Sequence, residues 1–69
     1  MYAIRNKNTH KWLFGTDFTY HPHRQYTSSE KVLTWETESD ARIEFIHREC
    51  GKSYEVVPVM LLELEEDPA

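Results

Sequence analysis

The chain has one cysteine, Cys50, two glycines, Gly15 and Gly51, and three prolines. A lone cysteine excludes an intrachain disulfide framework and any metal site built from several thiolates. Two isolated glycines exclude phosphate-cradling loops of the P-loop or Rossmann kind, which need glycines at close spacing. The longest apolar run, 56–62, is seven residues interrupted by Pro58, against roughly 20 for a bilayer-spanning helix. Charge arrives at Arg5, so no secretory leader is expected, and a cytoplasmic location follows. At 69 residues there is room for one domain and none for a two-lobed enzyme.

Hydrophobic residues make up 39 % of the chain and charged residues 29 %, a globular balance. The charges are segregated. Residues 1–31 carry a net +3 and residues 32–69 a net −7, giving the overall −4. The front of the chain is therefore basic and the back acidic. A chain this short buries only about 60 % of its unfolded surface, so dimerisation is an expected stabilising device.

Alternation of apolar and polar residues predicts strands over 2–6 and 11–15, joined by the polar connector 7–10 as a hairpin. Residues 16–29 contain His21-Pro22-His23 and Thr27-Ser28-Ser29 and read as a long ordered loop, with a short edge strand near 18–20 as an option. A third strand is expected over 31–36. Thr37 followed by Asp40 is a variant capping box, and Glu38 and Asp40 complement the helix dipole. A helix is thus predicted over 38–50, with Gly51 as its left-handed C-terminal stop. A last strand is expected over 53–62, where Pro58 marks an edge or bulge. The fold class is α+β, a small antiparallel sheet of three to four strands (β-β-β-α-β) with one helix packed on one face. The domain spans 1–62, and 63–69 forms an acidic, frayed tail. Trp12 or Phe14, Trp35, Phe45, Ile46 and Val57 are the expected core.

The predicted helix carries a wide apolar arc. At about 100° per residue, Ala41, Ile43, Phe45, Ile46 and Cys50 spread further than one sheet contact requires. Either the arc faces the core, with Arg42 laying its stem along it, or the helix has two apolar faces and one is available to a partner. The last strand is also apolar on both sides, which points to cover by a second subunit or by the aromatic loop holding Phe18, Tyr20 and Tyr26. A homodimer through an edge or the second helix face is the expected oligomer.

His47 and Cys50 are spaced i, i+3 and with His21 and His23 have the composition of a zinc site. No CxxC or HExxH spacing supports it, and Cys50 reads better as a small buried hydrophobe. No metal or cofactor is therefore expected, and a chelator should leave the melting temperature unchanged. Catalysis through Cys50 and His47 lacks room for a pocket, so no catalytic residue is assigned. Arg5, Lys7, Lys11 and Trp12 in the first hairpin, with Tyr20 and Arg24 beyond it, interleave cations with aromatics and are the candidate nucleic-acid or partner contacts.

The segments Tyr2-Ala-Ile-Arg-Asn6, Lys11-Trp-Leu13, Leu33-Thr-Trp-Glu-Thr37, Ala41, Phe45-Ile46 and Gly51-Lys-Ser-Tyr-Glu-Val-Val-Pro-Val59 span most of the chain. Their layout resembles short proteins encoded by phages and prophages of Gram-positive bacteria. No functional residue is carried over. The resemblance implies a phage accessory protein in the host cytoplasm that binds a host or phage protein. Some such proteins inhibit restriction or CRISPR nucleases, and an acidic surface would suit that task. The expected function is a non-enzymatic interaction protein, with a nucleic-acid-binding module and a nuclease inhibitor as alternatives. No membrane partner is expected.

Overall fold

The computed structural model describes residues 1–60. Its elements are β1 (Tyr2–Asn6), β2 (Trp12–Asp17), β3 (Arg24–Ser28), β4 (Thr34–Trp35), α1 (Glu38–His47) and β5 (Tyr54–Pro58). All pairings are antiparallel, and β1 is the centre of the sheet. β5 pairs with β1 from Tyr2↔Pro58 to Asn6↔Tyr54 and so fills one of its edges. The opposite edge is shared. β2 meets β1 at Arg5↔Trp12, and β4 meets it at Tyr2↔Trp35 and Ala3↔Thr34. β3 extends the sheet from β2, with an irregularity between Leu13 and Gly15.

The α+β class with a single helix among the described residues agrees with the sequence, but the strand count differs. Part of the expected loop 16–29 is a full strand, β3, while Phe18–Tyr20 lies in the turn before it. Arg24-Gln-Tyr-Thr-Ser28 lacks an apolar alternation because only its Gln25 and Thr27 side faces the protein. The expected strand over 31–36 shrinks to Thr34–Trp35, since β2 already occupies the rest of that edge. The expected strand over 53–62 ends at Pro58. Leu61, Leu62 and the acidic tail lie outside the described residues.

The first hairpin is closed by its own polar side chains. The Asn6 Oδ1 accepts from the Asn8 and Thr9 N–H groups at 2.8 and 3.0 Å, an Asx turn. His10 takes the left-handed conformation at φ 62°, and its N–H donates to the Asn6 carbonyl at 2.8 Å.

Helix α1 starts as the sequence predicts. Thr37 is extended, and its Oγ1 accepts from the Asp40 N–H at 3.1 Å. Thr37→Ala should cost about 1 kcal/mol, read as a lowered urea midpoint. An unchanged midpoint would mean the cap is idle.

The end of α1 falls earlier than expected. Arg48 is the C-cap, and Glu49, not Gly51, takes the first left-handed position, at φ 55°. The Glu49 N–H donates to the Ile46 carbonyl at 3.0 Å and the Cys50 N–H to the Phe45 carbonyl at 3.2 Å. These two bonds form a Schellman motif. Its usual apolar contact is present too, because Phe45 packs against the cluster that contains Cys50. Burial of Cys50 thus enforces the stop, ahead of the glycine.

Two faces follow from the registers. Ile4, Leu13 and Cys50 are buried together under α1, with Trp35, Phe45, Tyr54 and Val56 packed around them. Ala41 is fully buried, so the helix approaches the sheet over a methyl group. Ile46, expected in the core, is 75 % exposed. Ala41, Phe45 and Arg48 share the inward side of α1, and Ile46 projects from the other. Arg5, Trp12 and Glu55 lie on the sheet face away from α1.

Candidate functional site

Ile43 and Ile46 are one helical turn apart on α1 and are 61 % and 75 % exposed. Of the two sequence readings of the apolar arc, the structure has the second: one face in the core, one outside. Arg42 does not snorkel. Its guanidinium donates to Glu38 at 2.6 and 2.9 Å on the exposed side of the helix. Beside Ile46 runs a groove of about 500 Å³, with Phe45, Tyr54 and Val56 among its walls and Lys7 and Arg42 at its rim. The sequence argument that so short a chain lacks room for a pocket meets an open groove between α1 and β5.

The six residues read as contacts do not form one patch. Arg5, Lys7, Lys11 and Trp12 sit at the first hairpin, while Tyr20 and Arg24 lie at the other end of β2, where Arg24 pairs with Asp17, about 17 Å along the strand. Arg5 is committed internally. Its Nε and Nη2 donate to the Glu55 Oε2 at 3.0 and 2.7 Å, and its guanidinium lies 5.8 Å from the Trp12 ring. A phosphate would have to displace Glu55. Arg24 lies 5.0 Å from the Tyr20 ring. Between the two groups the structure supplies Phe14, which the sequence offered as a core residue and not as a contact. It lies 6.3 Å from Tyr26 and carries Lys31 at 5.6 Å. The result is a row of half-exposed aromatics with cations beside them.

Among the described residues, part of the acidic charge of the second half is paired. Glu38, Glu44 and Glu55 are each bonded to an arginine. The acids at 63–67 lie outside the described residues.

The end of α1 is clamped to β2 and β3. Arg48 donates to Glu44 at 2.9 Å and to the Thr16 Oγ1 at 2.9 Å. Thr16 in turn donates to the Gln25 Oε1 at 2.7 Å, and the Gln25 Nε2 donates to the Arg48 carbonyl at 2.5 Å. Beyond this clamp, His21 and His23 meet Glu49, with one ligand atom from each lying within 4.8 Å of the others. Phe18 stands between His23 and His47, at 4.8 and 5.4 Å.

The structure thus gathers two of the four residues weighed as zinc ligands and adds Glu49, which the sequence gave no reason to choose. His47 is outside the cluster. Cys50 is in the core, where burial pushes its thiol up to about 11, so it stays protonated at neutral pH. Asp17 is held below the ordinary aspartate range, first by the Thr19 hydroxyl and then by the Thr19 N–H, which closes the turn after β2.

These features define a small α+β domain with an apolar helix face, an aromatic sheet face and a histidine–carboxylate cluster. No protein-family model matches the chain, and no curated protein or solved structure matches it significantly. Among the described residues no helix is long and apolar enough to cross a membrane.

Proposed function

We propose that this chain is a small non-enzymatic interaction protein, of phage or prophage accessory type, that binds another protein through the outer face of α1. The observation that supports this reading is the exposure of Ile43 and Ile46 on a helix whose other side already serves the core. Burying an isoleucine is worth about 1.5–3 kcal/mol, and Ile46 lines a groove with Phe45, Tyr54 and Val56 in its walls. The matching occupant is an apolar segment of another polypeptide, with an acidic residue to meet Lys7 on the rim. This is helix-and-groove recognition, in which a few apolar anchors provide most of the affinity.

The test is a photo-crosslinking residue at position 46, with one at exposed Lys52 as control, used in lysate of the native host. A discrete protein crosslinked from position 46 alone is expected. The crosslink should disappear in Ile43→Asp while the melting temperature changes little, because exposed substitutions stay within about 0.5 kcal/mol. Equal labelling from both positions would overturn the reading. A second copy of the chain as the captured protein would identify the partner as a homodimer.

A second reading, single-stranded nucleic-acid binding, rests on the aromatic row of Trp12, Phe14 and Tyr26 with Lys31 over Phe14, and on Arg24 over the Tyr20 ring at the far end of β2. Bases would stack on the rings while the cations meet phosphates. It calls for oligonucleotide binding that weakens steeply with salt and is indifferent to Ile43→Asp.

A further inference from the structure

We propose that His21, His23 and Glu49 form a binding site for a divalent first-row transition-metal ion, and that the ion clips the β2–β3 connection to the end of α1. Two imidazoles and a carboxylate are the donor set of open zinc and related sites, in which solvent or another ligand completes the coordination. The three ligand atoms lie within 4.8 Å of one another, although His21 and His23 are separated from Glu49 by more than 20 positions of sequence.

The tautomer of His23 is set by the backbone. Its Nδ1 lies 2.8 Å from the Tyr20 carbonyl. A carbonyl only accepts, so Nδ1 carries the proton, and the neutral ring presents its Nε2 lone pair on the other side. That nitrogen faces the Glu49 Oε2 at 3.7 Å. The separation is too long for a hydrogen bond but near the roughly 3.3 Å between neighbouring ligands of a tetrahedral ion with bonds of about 2.0 Å. A backbone carbonyl holding the far nitrogen is the usual support of a metal-bound histidine.

Glu49 is oriented just as firmly. It occupies the left-handed position of the Schellman motif, and its Oε1 accepts from the His23 N–H at 3.3 Å, which leaves Oε2 directed at the imidazole. The His23 side chain is 11 % exposed, while Glu49 is 47 % exposed and His21 is exposed. The site is therefore anchored on one side and open on the other, with the His21 ring 5.2 Å from that of His23. Nearby Arg48 is occupied by Glu44 and Thr16. The buried cluster of Ile4, Leu13 and Cys50 shares no residue with this site. The ion would thus reinforce a domain that folds without it, unlike a zinc finger.

Titration of Co²⁺ into the purified chain, followed by its visible absorption, tests the site, with Zn²⁺ followed by thermal melting alongside. One ion should bind per chain. Zn²⁺ at about 100 times its dissociation constant should raise the melting temperature on the order of 10 °C, and excess Mg²⁺ should not compete. His21→Ala changes an exposed side chain. Glu49→Gly keeps the left-handed position in the residue that favours it. Each should fold and weaken Co²⁺ binding at least about tenfold. His47→Ala and Cys50→Ala should bind as the wild type does. The proposal fails if the wild type shows neither a cobalt band nor a zinc-dependent shift. It fails equally if His21→Ala and Glu49→Gly bind with wild-type affinity, or if His47→Ala abolishes binding.

Discussion

Ile4→Ala should destabilise the protein by about 3–4 kcal/mol, the largest effect expected of any single truncation. Among the described residues, Ile4 and Leu13 are the two large side chains with no exposed surface. Removing three carbons from such a position loses their transfer energy and leaves a cavity, a combination that costs about 2–5 kcal/mol. The cavity would not collapse readily. Ile4 sits on the central strand, held between β5 on one edge and β2 with β4 on the other, and the helix above it already approaches over Ala41. At about 0.05–0.15 kcal/mol per residue, a chain of this size has little stability to lose. Urea titration should show the variant unfolding from low denaturant at room temperature. A loss below about 1 kcal/mol would mean that the Ile4–Leu13–Cys50 cluster is not the organising core.

Arg48→Ala should cost about 2 kcal/mol, more than any other polar truncation in the described residues. Surface ion pairs are usually worth less than about 1 kcal/mol. Arg48 differs in three respects. Its side chain is 18 % exposed, it bonds both Glu44 and Thr16, and its guanidinium lies 5.9 Å from the Phe18 ring. Truncation leaves the half-buried Glu44 carboxylate and the Thr16 hydroxyl without that donor, and groups stranded in this way cost about 1–3 kcal/mol. Arg48→Lys should recover only part of the loss, because one ammonium cannot reproduce the fork that reaches two acceptors. Hydrogen exchange should localise the effect. Amides of β3 and the last turn of α1 should lose protection while those of β1 and β5 keep theirs. Uniform loss across the sheet would show that Arg48 supports the whole core and not the junction of α1 with β2 and β3.

Local chemistry made part of this molecule legible. Thr37 with Asp40 located the start of α1, because a cap acts within one turn. Alternation located β1 and β2 but not which side is the core: Trp12 or Phe14 was expected inside, whereas Ile4 and Leu13 are the buried residues and Trp12 lies with Arg5 on the other face. β3 was not legible: Arg24-Gln-Tyr-Thr-Ser28 has no apolar period, and it is a strand because β2 offers it an edge. Ile46 was misread for a related reason. A hydrophobic residue on a helix states its preference, but which side faces the sheet is decided by where Ala41 and Phe45 fit.

The end of α1 shows the division most clearly. By itself the sequence determined that the helix begins after Thr37, that the first two strands alternate, and that the fold is of α+β type. These follow from capping, from the pleat and from local patterning, and none needs a distant residue. Only the tertiary structure decided that Glu49, ahead of the available Gly51, takes the left-handed turn, since that choice depends on Cys50 reaching the core beneath Phe45. The same turn carries the Glu49 carboxylate to His21 and His23. Contacts between positions so far apart depend on how the sheet and helix pack, which no local window of sequence encodes.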